Sequence, residues 1–548
     1  MPKPLRFVIL LLTTLLVSSS LRGFGTSTAF AQPVLLYQKD GAATNDGLGY
    51  SVAGAGDVDG DGKADFIIGA YAADPGGRTD AGSAYLYSGA DGSLLYQKDG
   101  AAVGDGLGYS VAGAGDVNGD GKADFIIGAY HANPGGRNDA GSAFVYSGAT
   151  GLLLFQKDGA AGFDYLGISV ARAGDVNGDG RADFIVGASN TDPGGRINAG
   201  SAFVYSGATG LLLFQKDGAA ASNFLGISVA GAGDANGDGK DDFIIGTPLA
   251  DPGGLTNAGS AFVYSGATGL LLFQKDGAAG FDVLGWSVAG AGDVDGDGKA
   301  DFIIGAYTAD PGGRSSAGSA FVYSGADGTL LFQKDGAAAG DQLGWSVAGA
   351  GDLNGDGKAD FIIGAYTADP GGRGDAGSAY LYSGADGALL YQKDGAAAGD
   401  FLGYSVAGAG DLNGDGKADF IIGAYQTDPG GLSNAGSAYV YGLTPTDAPD
   451  EKKNRPLSFQ LSQNYPNPFN PTTTIRFYLP KRQNVTVEIF NTAGQRVKTL
   501  LKGEQSAGEH ILNWDGKDEK GNILSSGVYF YNLEGEDFFE AKKMIFLK

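Results

Sequence analysis

Seven times along this chain an aspartate opens the nine-residue pattern Asp-x-[Asp/Asn]-Gly-Asp-Gly-[Lys/Arg]-x-Asp. Position one is Asp57, Asp116, Asp175, Asp234, Asp293, Asp352 and Asp411. Position three is Asp59, Asn118, Asn177, Asn236, Asp295, Asn354 and Asn413, and position five is Asp61, Asp120, Asp179, Asp238, Asp297, Asp356 and Asp415. Position seven is Lys63, Lys122, Arg181, Lys240, Lys299, Lys358 and Lys417, and position nine is Asp65, Asp124, Asp183, Asp242, Asp301, Asp360 and Asp419. Oxygens at alternate positions of a tight loop converge on one point, and the backbone carbonyl of position seven supplies a further ligand. Glycines at positions four and six permit the curl. Hard oxygen donors carrying several negative charges suit Ca²⁺, so up to seven ions are expected, one per copy. The loop is not an EF-hand, since position twelve is Ile68 and not Glu. An Asx-turn without metal is the alternative. Seven copies that all keep the ninth Asp favour a cation, because clustered carboxylates repel one another.

The elements that must hold these loops repeat with them. Each interval between first aspartates is 59 residues, without insertion. A unit such as residues 48–102 holds four strand-like runs, 50–55, 65–70, 83–88 and 94–98. The run Asp65–Ala70 is short and continuously apolar after its first residue, as in a strand buried on both faces. The third run alternates, with Tyr85 and Tyr87 on one face. Asp-Pro-Gly-Gly and Gly-Ala-Asp-Gly between runs are turn chemistry. Seven such units predict a seven-bladed β-propeller over residues 32–442. A β-solenoid is the rival, though its rungs are usually shorter. The last unit stops at Ser437–Tyr441, while its missing Leu-Leu-Tyr-Gln-Lys strand stands at 35–39, ahead of the first unit. The N-terminal strand is therefore expected to complete blade seven and remove the free sheet edges.

Composition agrees. Of 99 Gly, 90 lie in residues 32–442, where 20 cations face 49 acids, every one an Asp. Asp favours turns and hard-cation sites, whereas Glu favours helices. A net charge of −25 argues against nucleic acid as a partner. The absence of Cys excludes disulfides and thiolate sites, and two His cannot build a histidine metal cluster.

The units resemble FG-GAP repeats, the building block of integrin α-chain propellers and of many bacterial surface proteins. Phe-Gly is represented here by Leu48-Gly49, Gly-Ala-Pro by Gly69-Ala70-Tyr71, and Gly246-Thr247-Pro248 keeps the proline. The resemblance, over about residues 33–442, implies the propeller fold, calcium between strands one and two, and ligand binding on a rim.

In a propeller the calcium loops and the 3–4 turns share one face, and the 2–3 and 4–1 loops share the other. The 4–1 loop varies most among units, and Phe163, Tyr165, Phe224, Phe281 and Phe401 are the candidate ligand rim. Exposed aromatics suit sugar stacking or a protein hot spot, with packing against neighbouring blades as the alternative. Trp286 and Trp345 are expected to pack between blades. Arg373-Gly374-Asp375 aligns with Arg-Thr-Asp and Arg-Asn-Asp of sibling units and reads as a turn. Gly49-Tyr50-Ser51-Val52-Ala53 resembles a nucleophile elbow but has no His partner. No enzymatic activity is expected; an all-Asp glycosidase pair would be recognised by the separation of its carboxylates in the fold.

The ends carry addresses. Lys3 and Arg6, an apolar run from Phe7 to Val17 and Ala29-Phe30-Ala31 form a signal-peptide pattern over residues 1–31. Residues 443–456 read as a linker, and alternating runs at 474–479, 485–490 and 528–533 predict a small Ig-like β-sandwich over 457–548. Asn464-Tyr465-Pro466-Asn467-Pro468-Phe469, Asn513-Trp514-Asp515-Gly516 and Ser526–Tyr531 resemble the type A C-terminal sorting domain of the type IX secretion system. That resemblance implies passage through the secretion machinery and a secreted, cell-surface or outer-membrane-associated protein. The expected whole is an all-β, monomeric, calcium-binding adhesion or ligand-binding protein with an extracellular protein or glycan partner. A polysaccharide-binding lectin or carbohydrate-active enzyme is the first alternative, and a structural envelope component the second.

Overall fold

The computed structural model describes residues 33–443 and, within 460–548, all but 462, 465, 480–482, 506–507 and 536–537. The leader expected at 1–31 and the linker residues 444–456 lie outside the described residues. Contacts divide the chain into two units between Thr446 and Asp447.

The first unit is seven four-stranded antiparallel sheets. In blade one the strands are Ser51–Gly56, Asp65–Ala70, Ser83–Tyr87 and Leu94–Asp99, paired in chain order. All six residues of the second strand are buried, because adjacent blades cover both of its faces. The fourth strand forms the exposed outer edge. The core lies between blades: Ile67 and Leu86 of blade one pack with Phe125 and Ile127 of blade two. Blades approach closely enough to need glycine, since a Cβ on Gly69 would lie 1.9 Å from the Gly108 carbonyl oxygen.

The ring closes as expected. The N-terminal strand Pro33–Asp40 pairs antiparallel with Ser437–Leu443 and completes blade seven. That last strand runs two residues past the expected Tyr441, because Gly442 and Leu443 find partners in Val34 and Pro33. A circle of hydrogen bonds joins the innermost strands: Val111 N–H donates to Ser51 Oγ, each following blade repeats the bond, and Val52 N–H returns it to Ser405 Oγ at 3.1 Å.

The second unit is a β-sandwich. One sheet holds Gln460–Leu461, Thr473–Leu479 and Gly508–Trp514, and the other Arg496–Gln505, Gln483–Asn491, Gly527–Glu534 and Phe539–Phe546. Its core includes Phe469, Trp514, Tyr531 and Phe546. Several residues that carry the sorting-domain resemblance therefore serve as packing: Trp514 Nε1 donates to the Lys517 carbonyl, and Tyr531 Oη accepts from Asn464 N–H.

Candidate metal loops and ligand rim

Each Asp loop is wound around its own carboxylates. Asp57 Oδ1 accepts from Gly60 N–H at 2.7 Å and Asp61 N–H at 3.1 Å, while its Oδ2 accepts from Gly62 N–H at 2.9 Å. Asp59 Oδ1 accepts from Asp61 N–H, and Asp61 Oδ1 from Lys63 N–H. This winding brings carboxylate oxygens of Asp57, Asp59 and Asp61 within 4.8 Å of one another, and those of Asp293, Asp295 and Asp297 likewise. Ca²⁺ binds oxygen at roughly 2.3–2.6 Å, so oxygens this close can all reach a single ion between them. The donor set fits the expected cation. In the other five loops an Asn holds position three with the same backbone: Asn118 Oδ1 accepts from Asp120 N–H at 2.9 Å, so an oxygen is kept with less charge.

Position nine lies beneath the loop. Asp65 is fully buried, and it ties the loop to the 3–4 turn by accepting from Val58 N–H at 2.7 Å and Gly89 N–H at 2.9 Å. Burial, partly opposed by these amides, pushes its carboxyl up to about 6, as it does for Asp124, Asp183, Asp242 and Asp301. Asp360 and Asp419 are pushed up to about 7.

Position seven has a second role that spacing did not suggest. Lys122 Nζ donates to the carbonyl of Asp59 in the preceding blade. Lys240 reaches Asn177 at 2.9 Å, Lys358 reaches Asp295 at 2.7 Å and Lys417 reaches Asn354 at 3.2 Å in the same way. At these four junctions neighbouring loops are thus clasped position seven to position three.

On the opposite face the 4–1 loops lie against the 2–3 loops, as Gly104 N–H donating to the Thr79 carbonyl illustrates. The loop Asp is a scaffold and not an exposed contact: Asp164 is buried and accepts from Ala161 N–H at 2.7 Å. The five candidate aromatics separate into two groups. Phe163 and Phe281 stand out in solvent, 56% and 62% exposed. Tyr165, Phe224 and Phe401 turn toward the channel mouth, where Tyr165 meets His131 and Phe401 stacks on Tyr425 at 6.0 Å. All five hold left-handed backbone, with φ between 54° and 67°. Sibling blades place Gly104 or Gly106 there, and a side chain in that conformation costs roughly 1–2 kcal/mol.

Inside this rim an aromatic ring lines the channel mouth. Trp286 and Trp345 lie 4.9 Å apart, Trp345 meets Tyr404 at 5.3 Å, and Tyr50 meets both Tyr404 and Tyr109 at 4.8 Å. The two tryptophans do pack between blades. Arg373-Gly374-Asp375 is a turn like its siblings: Arg373 Nε donates to the Gly395 carbonyl as Arg78 does to Gly100.

Comparison with known proteins adds relatives to this geometry. The family model described as FG-GAP repeat matches residues 48–87, 107–146, 166–205, 225–264, 284–323, 343–382 and 402–441. The FlgD Ig-like domain model matches residues 467–537. Integrin alpha-5 of Xenopus laevis is 32% identical over 232 residues, which is 39% of this chain and 21% of that protein. Integrin alpha-V of Gallus gallus is 31% identical over 241 residues, covering 41% and 22%. Integrin alpha-PS2 of Drosophila melanogaster is 30% identical over 224 residues, covering 37% and 15%. The match spans about a fifth or less of the length of these relatives.

Proposed function

The chain belongs to the FG-GAP repeat family, and on that premise we propose that it is an extracellular or cell-surface, calcium-binding propeller with a non-enzymatic, adhesive role. The observation that carries this reading is the division of labour between its faces. One face repeats the same oxygen-rich loop seven times, and the other carries 4–1 loops of which no two have the same sequence. Calcium would be held by positions one, three and five of each loop, with the carbonyl of position seven and the Asp of position nine completing the donor set. The likeness to integrin alpha chains supports ligand binding on the variable rim. Among the described residues no helix is long and apolar enough to cross a membrane.

Export is assigned to the two ends. Residues 1–31 would direct the chain across the inner membrane, and residues 457–548 would serve as a type IX sorting domain built on an Ig-like sandwich. Native mass spectrometry of the purified propeller with calcium, expected to find up to seven ions, tests the metal assignment. Retention of the propeller in the periplasm when residues 457–548 are deleted in the host tests the route. Unchanged export of the truncated chain would remove the sorting assignment.

A further inference from the structure

The rim is interrupted in one sector. At the start of the inner strand and again after the second strand, five blades carry Tyr or Trp at both places, as Tyr50 and Tyr71 do in blade one. Blade three has Ile168 and Ser189 instead, and blade four has Ile227 and Pro248. Losing these rings opens a cleft of about 390 Å³ at the channel mouth. Its walls include Tyr130, Tyr165, Phe224 and Trp286, with His131 and Asn190 as polar groups. His131 is held in place by Asp139, 3.0 Å from Nδ1, and by the Tyr130 ring. A second cleft of about 580 Å³ lies on blade three, with Phe163 at its lip and Asn190, Asn198 and Gln215 among its lining. Asn190 lines both, so the two form one track running outward from the channel mouth.

We propose that this track binds a neutral oligosaccharide, one part of the chain in each cleft; the proposal rests on the ligand-binding reading above and names its ligand class. A pyranose offers an apolar C–H face and an edge of hydroxyls. Aromatic walls with a few placed amides and hydroxyls match both, and each cleft falls in the range of about 300–1,000 Å³ usual for small-molecule sites. Charge selects among glycans. Asp158 and Asp192 line the outer cleft, with the buried Asp164 behind them, and neither cleft is lined by Lys or Arg. Uronates and sulfated sugars would meet uncompensated carboxylates in a chain of net charge −25. The aromatics at Phe163, Tyr165 and Phe224 hold left-handed backbone at places that are Gly104 and Gly106 in blade two, so the rings are kept there despite strain.

The test uses the full chain in calcium buffer on an array of neutral hexasaccharides (β-1,4-glucan, chitin, mannan and xylan fragments) beside alginate and heparin fragments. At least one neutral ligand is expected to bind, with the acidic fragments at background. Filling the inner cleft with the sibling residues, Ile168→Tyr with Ser189→Tyr, should lower that binding at least tenfold while leaving the melting temperature unchanged. Asn190→Ala should lower it about tenfold. Binding that survives the filled cleft, preference for the acidic fragments, or no glycan binding at all would overturn the proposal. Adhesion of the same proteins to surfaces coated with extracellular protein separates the two readings. Protein adhesion without glycan binding removes the sugar and keeps the adhesive rim, whereas failure on both surfaces removes both.

Discussion

The two faces of the propeller are made from the same units, yet they have diverged to different degrees. Within the Asp loops, apart from the residues at positions two and eight, variation is confined to Asp or Asn at position three and Lys or Arg at position seven. On the rim, no two blades share the same four residues at the places corresponding to 44–47, although the third is Asp in six blades and Asn223 in the other. The cause lies in what holds each loop. The Asp loops are wound by side chains, with Asp57 alone accepting three amides, so replacing a carboxylate unravels the backbone as well. The rim loops are held by one side chain, the loop Asp that accepts its own loop's amides, and otherwise backbone to backbone, as in Ser222 N–H to the Ile197 carbonyl and Phe281 N–H to the Thr256 carbonyl. Their other side chains are left to vary, and a surface that varies at little cost to the fold is where ligand recognition can be built.

The largest test of this contrast is removal of metal. Each site held at about a hundredfold over its dissociation constant contributes about 2.7 kcal/mol, and several sites sum. Chelation is expected to lower the melting temperature by about 10 °C or more, recovered by calcium. Scanning calorimetry with EDTA, then with added Ca²⁺, measures this. An unchanged transition would mean that the loops are self-sufficient turns.

Blade five allows the two faces to be compared one residue at a time. Asp293→Ala should remove one ion from the stoichiometry and cost about 2–3 kcal/mol in calcium. Phe281→Ala, on the other face of the same blade, should stay within about 0.5 kcal/mol. After chelation the gap should narrow but persist, because Asp293 also accepts the amides of Gly296, Asp297 and Gly298. Chemical denaturation in both buffers gives the four values, and equal losses in calcium would end the distinction between the faces.

These features were not equally legible in the sequence. The propeller, its blade count and its closure by residues 35–39 follow from a period that never slips. The Asp loops follow from spacing within a single hairpin. The lysine clasp depends on how far one blade lies from the next, so Lys122 gave no sign of reaching Asp59. The cleft was hidden for a related reason: Ile168, Ser189, Phe224 and Trp286 come from three blades and meet only when the ring closes. Its signal was present as departures from the repeat, since Ser189 and Pro248 stand where five siblings have Tyr. In the sandwich, Arg496–Gln505 and Gly508–Trp514 were not foreseen because charged residues dilute their alternation.

A smaller effect tests whether the Asp face acts as a ring or as separate loops. Lys122→Met removes the bond to the Asp59 carbonyl but keeps the apolar stem, so a loss of about 1 kcal/mol is expected. The loss should appear with calcium bound and be accompanied by weaker calcium binding in blade one, read by isothermal titration. No change in either would leave the clasp without energetic weight.

The smallest effect has the opposite sign and reaches the rim. Phe163 and Phe281 are exposed, with φ of 66° and 67°, at a position that is Gly104, Gly340 and Gly399 in other blades. Phe→Gly there relieves roughly 1–2 kcal/mol of left-handed strain but adds about 0.5–1 kcal/mol of unfolded-chain entropy. Each variant is therefore expected to be more stable by about 0.5–1 kcal/mol, a rise of one to a few degrees in melting temperature. A protein that lacked a use for these rings would gain by losing them. If Phe163→Gly stabilises the propeller and also weakens its ligand, the strain is held for recognition. If it stabilises without touching binding, Phe163 is repeat drift and the binding surface contracts to the channel mouth.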